Sequence, residues 1–315
     1  NDAKLWNYFS IYLPFPALKH EKMFTFAGKL HINNFSCIMA NVIKIKKGLD
    51  INLKGKASDV LLNGGKSESY AIVPDYYNGI LPKVVAKVGE KVKAGSVLMI
   101  DKNRPEIKFV SPVSGEVTAV NRGEKRKVLS IVVKPDAQIE YEEFGKKNVA
   151  SLQGAEVKEV LLNAGMWPFI KQRPYDIIAA PLDTPRDIFV SAFYSAPLAP
   201  NFDFIVKGQE ADFQTGLNAL AKLTNGKVYV GVRSGSVVSG MKGVEIVEVE
   251  GPHPAANVGV QINHIKPVNK GEVVWTVNPA DVIVIGRLFN KGVADFSRMV
   301  AITGSETTER GYVKT

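Results

Sequence analysis

Few residues of this chain have types and spacings that could do chemistry. The four histidines are His20, His31, His253 and His264, and no spacing among them makes a local pair of metal ligands. No H-E-x-x-H is present. Cys37 stands alone, which excludes an internal disulfide and a cysteine-ligated iron–sulfur cluster within this sequence. Gly65-Lys66-Ser67 imitates the end of a P-loop, but Val60 occupies the place of the first glycine, so the stretch reads as a turn. No G-x-G-x-x-G opens a helix. His253 lies in Gly251-Pro252-His253-Pro254 and reads as a turn residue at a strand end, the alternative being a polar group lining a pocket.

The most telling turn is Ala164-Gly165-Met166-Trp167-Pro168-Phe169, which follows a predicted amphipathic helix over 151–164. A phosphate cradle at such a place needs small residues, because backbone N–H groups must approach the anion closely. Here the side chains are bulky and Pro168 has no N–H. An apolar ligand or a partner protein suits the turn better than a nucleotide.

Stepping outward, the stretch Ile72–Val133 has two similar halves. One carries Val88-Gly89-Glu90-Lys91-Val92, then Gly95 and Val97–Ile100; the other carries Ser114-Gly115-Glu116-Val117, then Gly123 and Val128–Val133. Short apolar strands broken by single glycines predict a small flattened β module. The pair resembles the biotinyl/lipoyl carrier fold, a barrel-sandwich hybrid. Lys102 falls near the place of a carrier's modified lysine, but Asn103-Arg104-Pro105 follows and the segment to Pro112 is too long for a carrier hairpin. Modification of Lys102 is not expected.

Beyond about Pro135 the pattern changes. A charged linker or edge strand over 134–147 leads to the helix at 151–164, and a second helix is predicted over 209–223. Strands are predicted at 176–180, 202–206, 228–232, 244–249, 273–277 and 282–285. Strands alternating with helices argue an α/β layer with a largely parallel sheet.

The net charge of +9 is dispersed over 315 residues. Its densest cluster, Arg122, Lys125, Arg126 and Lys127, alternates with Gly123 and Glu124 and reads as a solvated hairpin, with contact to an anionic surface as the alternative. No recognition motif accompanies the charge, so nucleic-acid binding is not expected. No run approaches the ~20 apolar residues of a membrane span. Residues 1–38 are rich in aromatics without a period, and Met39-Ala40-Asn41 opens a strand-like alternation, which makes Met39 the expected biological start.

A helix and loop after a barrel-sandwich module resemble the flavin- and NADH-binding subunits of respiratory complex I and of ferredoxin–NAD reductase complexes. Longer stretches narrow the match: IKIKKGLDINLKG, AGMWPFIKQRPYD, GQEADFQTGLNALAKLTNGKVYVG, GPHPAANVGVQINHIKPV and DVIVIGRLFNKG. With these the chain closely resembles the A subunits of sodium-translocating NADH:quinone reductases. That resemblance implies a mixed α+β and α/β chain. A non-family extension would cover 1–38, a barrel-sandwich hybrid 39–147 and a Rossmann-like α/β domain 148–303. Residues 304–315 would begin a further C-terminal region.

It also implies a peripheral subunit on the cytoplasmic face of a bacterial inner membrane, within a translocase that oxidises NADH, reduces ubiquinone or menaquinone and exports Na⁺. Partners would be subunits B to F, with membrane contact through integral ones. The chain would carry no flavin or iron–sulfur centre of its own and no metal. FAD, FMN, riboflavin, the iron–sulfur centres and the NADH site would belong to the partners, and quinone would be the substrate. Trp167 and Phe169 would offer apolar surface to a quinone, and His253 or His264 would hydrogen-bond its oxygen; Gln209 and Glu210 complete the set of quinone-pocket or subunit-contact candidates. Three other readings compete: a member of the ferredoxin–NAD reductase type, a lipoyl- or biotin-bearing carrier using Lys102, and a scaffold without a ligand.

Overall fold

The computed structural model describes residues 41–315. The aromatic stretch 1–38 and the expected start at Met39 lie outside them. The opening strand, β1 (Asn41–Lys44), is shorter than the alternation suggests. A mostly irregular segment leads from it to the β module. There β2 (Tyr70–Ile72), β4 (Lys91–Val92), β7 (Gly115–Arg122) and β8 (Val128–Pro135) form a four-stranded antiparallel sheet in the order β2-β8-β7-β4. A second sheet, in the order β3-β5-β6, comprises β3 (Pro82–Val84), β5 (Val97–Asp101) and β6 (Lys108–Val110). Leu98, Met99, Phe109, Val117 and Ile131 are buried in the core of this barrel-sandwich hybrid. The basic cluster is indeed a hairpin tip, where Arg122 donates to the Arg126 carbonyl and Lys127 pairs with Asp75 at 2.6 Å.

The α/β part begins with α1 (Gly154–Asn163), closed at its N-terminus by a capping box between Gln153 and Glu156. Next come β9 (Ile170–Arg173), β10 (Ile177–Ile178) and β11 (Ile188–Ser191). After them follow α2 (Phe202–Val206), α3 (Glu210–Ala221), β12 (Val228–Val232) and β13 (Glu245–Glu250). The remaining elements are α4 (Val258–Ile265), β14 (Val274–Val277), α5 (Pro279–Lys291) and a hairpin of β15 (Met299–Ile302) with β16 (Gly311–Lys314). The seven-stranded sheet runs β1-β13-β12-β11-β14-β9-β10. Its first five strands are parallel, β9 pairs antiparallel with β14, and β10 pairs antiparallel with β9.

Three readings of the sequence need correction. The alternation at residue 41 does not start the β module: β1 pairs in parallel with β13 and edges the large sheet. Residues 202–206 are helical, not extended, because the Asn201 side chain accepts the Asp203 N–H and Phe202, Ile205 and Val206 are buried at i, i+3, i+4 spacing. Residues 282–285 lie inside α5, which Asn278 caps and Pro279 opens. That helix is buried from Asp281 to Phe289, so it shows no polar face and its apolar run imitates a strand.

The two modules meet at the turn after α1. Gly165 is left-handed (φ 67°), and a Cβ there would fall 2.5 Å from Val110 Cγ1 of the β module. The loop between β5 and β6, which holds Lys102, is also pinned. Buried Asp101 accepts from the Leu81 and Asn103 N–H groups and from Arg104 Nε, while Arg104 Nη1 donates to the Ile178 carbonyl in β10. A carrier lysine needs a free tip, and this one is tied to the neighbouring sheet.

Candidate ligand cleft at the sheet switch point

Strands β11, β12 and β13 are laid down outward on one side, and the chain then returns to place β14 on the other side of β11. At such a reversal the loops leaving the two strands diverge, and a crevice opens outside their carboxyl ends. Here it is a cleft of about 610 Å³. Ser191 and Thr276 mark the strand ends, Phe193 and Tyr194 come from the loop after β11, and Asn278 and Asp281 come from the start of α5. The first turn of α4, Phe169 just before β9, and Lys171 and Arg173 on β9 complete the lining. Gln261 fastens α4 over the sheet, since its Nε2 donates to Ser191 Oγ (2.9 Å) and to the Ala255 carbonyl (3.1 Å).

The electrostatics of the cleft are uneven. Burial holds the Lys171 ammonium below its ordinary pKa, against the pull of Asp176 and Asp281. Burial likewise raises the Asp281 carboxyl, although Arg298 Nη2 lies 2.6 Å from its Oδ1, off the line of a good hydrogen bond. Half-buried Tyr194, its hydroxyl 3.3 Å from Asn278 Oδ1, is pushed up to about 12 by desolvation and stays protonated at neutral pH. The Arg298 guanidinium sits 5.1 Å from the Phe169 ring centre. The cleft therefore combines aromatic walls, neutral hydrogen-bonding groups and surplus positive charge.

Of the six residues picked from the sequence, the fold brings Phe169 to this cleft. His253 is a neighbour once removed: its Nδ1 lies 3.0 Å from Ser195 Oγ, which also accepts the Ala256 N–H. Trp167 offers no surface to a ligand. It is fully buried, donates from Nε1 to the Ala179 carbonyl (2.8 Å) and packs edge-on against Trp275. Gln209 is engaged elsewhere, its Oε1 accepting from the buried Arg287. Glu210 opens α3, and His264 is exposed on α4 with Nδ1 2.9 Å from the Val260 carbonyl of its own helix. Lys171, Arg173, Tyr194, Asn278 and Asp281 were not picked as site residues, although Lys171, Arg173 and Asp281 lie in stretches that carry the family resemblance. Alternation in Ile170-Lys171-Gln172-Arg173 and the Asn278-Pro279 helix start were the available signals.

With this geometry in place, two family models match. Residues 43–136 correspond to the NqrA N-terminal barrel-sandwich hybrid domain, and residues 152–294 to the NqrA second alpha/beta domain. The chain belongs to the NqrA family. Among curated relatives it is 38% identical over 279 residues to the A subunit of the Na(+)-translocating NADH-quinone reductase of Hahella chejuensis (strain KCTC 2396). It is 36% identical over 278 residues to the protein of the same name in Photorhabdus laumondii, and 37% identical over 278 residues to that of Neisseria meningitidis serogroup A. Each match takes in 87% of this chain and 62% of the relative, so the chain spans less than two thirds of their length.

Proposed function

We propose that this chain serves as the A subunit of a Na⁺-translocating NADH:quinone reductase. In this reading it is peripheral, on the cytoplasmic face of a bacterial inner membrane, and docks to integral members among the partner subunits B to F. It takes part in quinone reduction without a flavin or iron–sulfur centre of its own, and the redox groups and the NADH site reside in the partners. The names of the relatives support the assignment. No helix among the described residues is long and apolar enough to cross a membrane, which agrees with a peripheral place.

The observation that carries the non-redox role is the turn after α1. Where a flavin phosphate would need open backbone amides, Met166, Trp167 and Pro168 are buried and packed. A quinone ring would instead meet the aromatic rim of the switch-point cleft at Phe169, with His253 in reach through the Ser195 loop. Photo-crosslinking a quinone analogue into the assembled complex tests this. Labelled peptides should contain Phe169 or the 193–195 loop, and Phe169→Ala should reduce labelling together with quinone reduction. Labelling confined to other subunits, with Phe169→Ala and His253→Ala fully active, would leave a scaffold.

A further inference from the structure

The cleft holds two loosely compensated cations: among the described residues Lys171 makes no ion pair, and Arg173 meets only Asp176. Lys171 and Arg173 alternate along β9 and share the face that carries Thr276, the register partner of Lys171. Gln172 between them points the other way, bonded to Asp183 and to the Ala180 N–H. No carboxylate of the described residues pairs with Lys171 Nζ; its neighbour is the Tyr77 ring, 5.4 Å away. Arg173 Nε is buried without a hydrogen-bond acceptor, and the half-exposed Asp176 stands off at 3.5 Å. The acid that lines the cleft, Asp281, already faces Arg298. The first turn of α4 adds backbone N–H groups, since Asn257 makes no capping bond with its side chain.

A cation partly withdrawn from water without a close partner, as Lys171 is, is costly, and the cost is recovered when an anion enters. The remaining walls are the rings of Phe169, Phe193 and Tyr194, which suit a flat aromatic body. We infer that the cleft binds a planar organic anion. Its carboxylate or phosphate sits between Lys171 and Arg173, and its ring lies against Phe169 and Tyr194. The volume of about 610 Å³ accommodates a ligand of nucleotide size. This assignment does not rest on the quinone reading, because a neutral quinone would bring no charge to Lys171.

Isothermal titration of the full chain with naphthoate and with adenosine monophosphate, each beside its uncharged counterpart (naphthamide, adenosine), tests the assignment. At least one acid should bind saturably, one per chain, and about tenfold or more tighter than its counterpart. Preference for naphthoate identifies a carboxylate ligand and preference for the nucleotide a phosphate. Lys171→Met and Arg173→Gln should each weaken binding about tenfold, Lys171→Arg should restore most of it, and Lys83→Met on the β module should change nothing. Circular dichroism and melting curves verify that the variants fold. Failure of both acids to bind, equal binding of acid and counterpart, or undiminished affinity in both cleft variants would overturn the inference. Acid binding combined with quinone labelling elsewhere would instead sink the quinone role alone.

Discussion

The two ends of β11 solve the same electrostatic problem in opposite ways. At its start, buried Asp187 is saturated: it takes Lys266 Nζ at 2.7 Å, Arg186 Nε at 2.7 Å and the Lys227 N–H at 3.1 Å. At its far end Lys171 lines the cleft without an ion pair, Arg173 meets only the half-exposed Asp176 at 3.5 Å, and Asp281 is taken by Arg298. A fold that pairs its charge tightly at one end and loosely at the other has separated a structural terminus from a receptive one. Most of the turn after α1 belongs with the paired end, since Met166, Trp167 and Pro168 are buried and only Phe169 reaches the cleft. Unmatched polarity next to open volume, rather than a glycine-rich motif, marks where a ligand belongs in this sheet.

Three substitutions test the contrast, in order of expected size. Trp167→Ala should lower the unfolding free energy by about 3–5 kcal/mol, read from urea denaturation, through loss of core volume. A near-native unfolding curve would mean that the turn is not packed as described. Asp187→Asn should cost about 1–3 kcal/mol at neutral pH. Burial alone would raise this carboxyl, but the bonds from Lys266, Lys227 and Arg186 prevail and hold it below its ordinary value of 3.8. A depressed folded pKa stabilises fully above that ordinary value and loses its contribution as pH falls through the lower folded one. The difference between wild type and variant should thus be constant above about pH 5 and shrink only in strong acid. A gap that widened on acidification would contradict the paired picture. Last, Lys102→Ala should shift stability by less than about 0.5 kcal/mol, and intact mass should show no adduct after treatment with a biotin or lipoate ligase.

Much of this architecture was legible in the residues. The glycine-broken valine strands of the β module, the α1 and α3 helices and the β12 strand all follow local pattern. The bulk at Met166–Phe169 was read as a surface for an apolar ligand or partner, whereas Met166, Trp167 and Pro168 are buried. What failed has a common cause: the pattern vanishes when an element is wrapped on all sides. Completely buried α5 lost its 3.6-residue signature, and α2 is too short to display one. The cleft was hidden for another reason. Its members come from β9, the β11 loop, α4 and α5, and only the reversal of strand order gathers them. Trp167 was singled out for its apolar bulk, yet bulk at a sheet–helix junction more often fills the interior, as its bond to Ala179 does here.

The placement of β1 beside β13 has a consequence for any attempt to divide the molecule. A single cut in the 136–148 connection would strip the large sheet of its border, baring the Glu245–Glu250 backbone to pairing with other chains. During synthesis the same strand emerges early and must wait for its neighbour, so the sheet closes only after both modules have been made. Asn41–Lys44 thus act as a clasp joining the two halves, and a fragment meant to isolate the second half must carry them along.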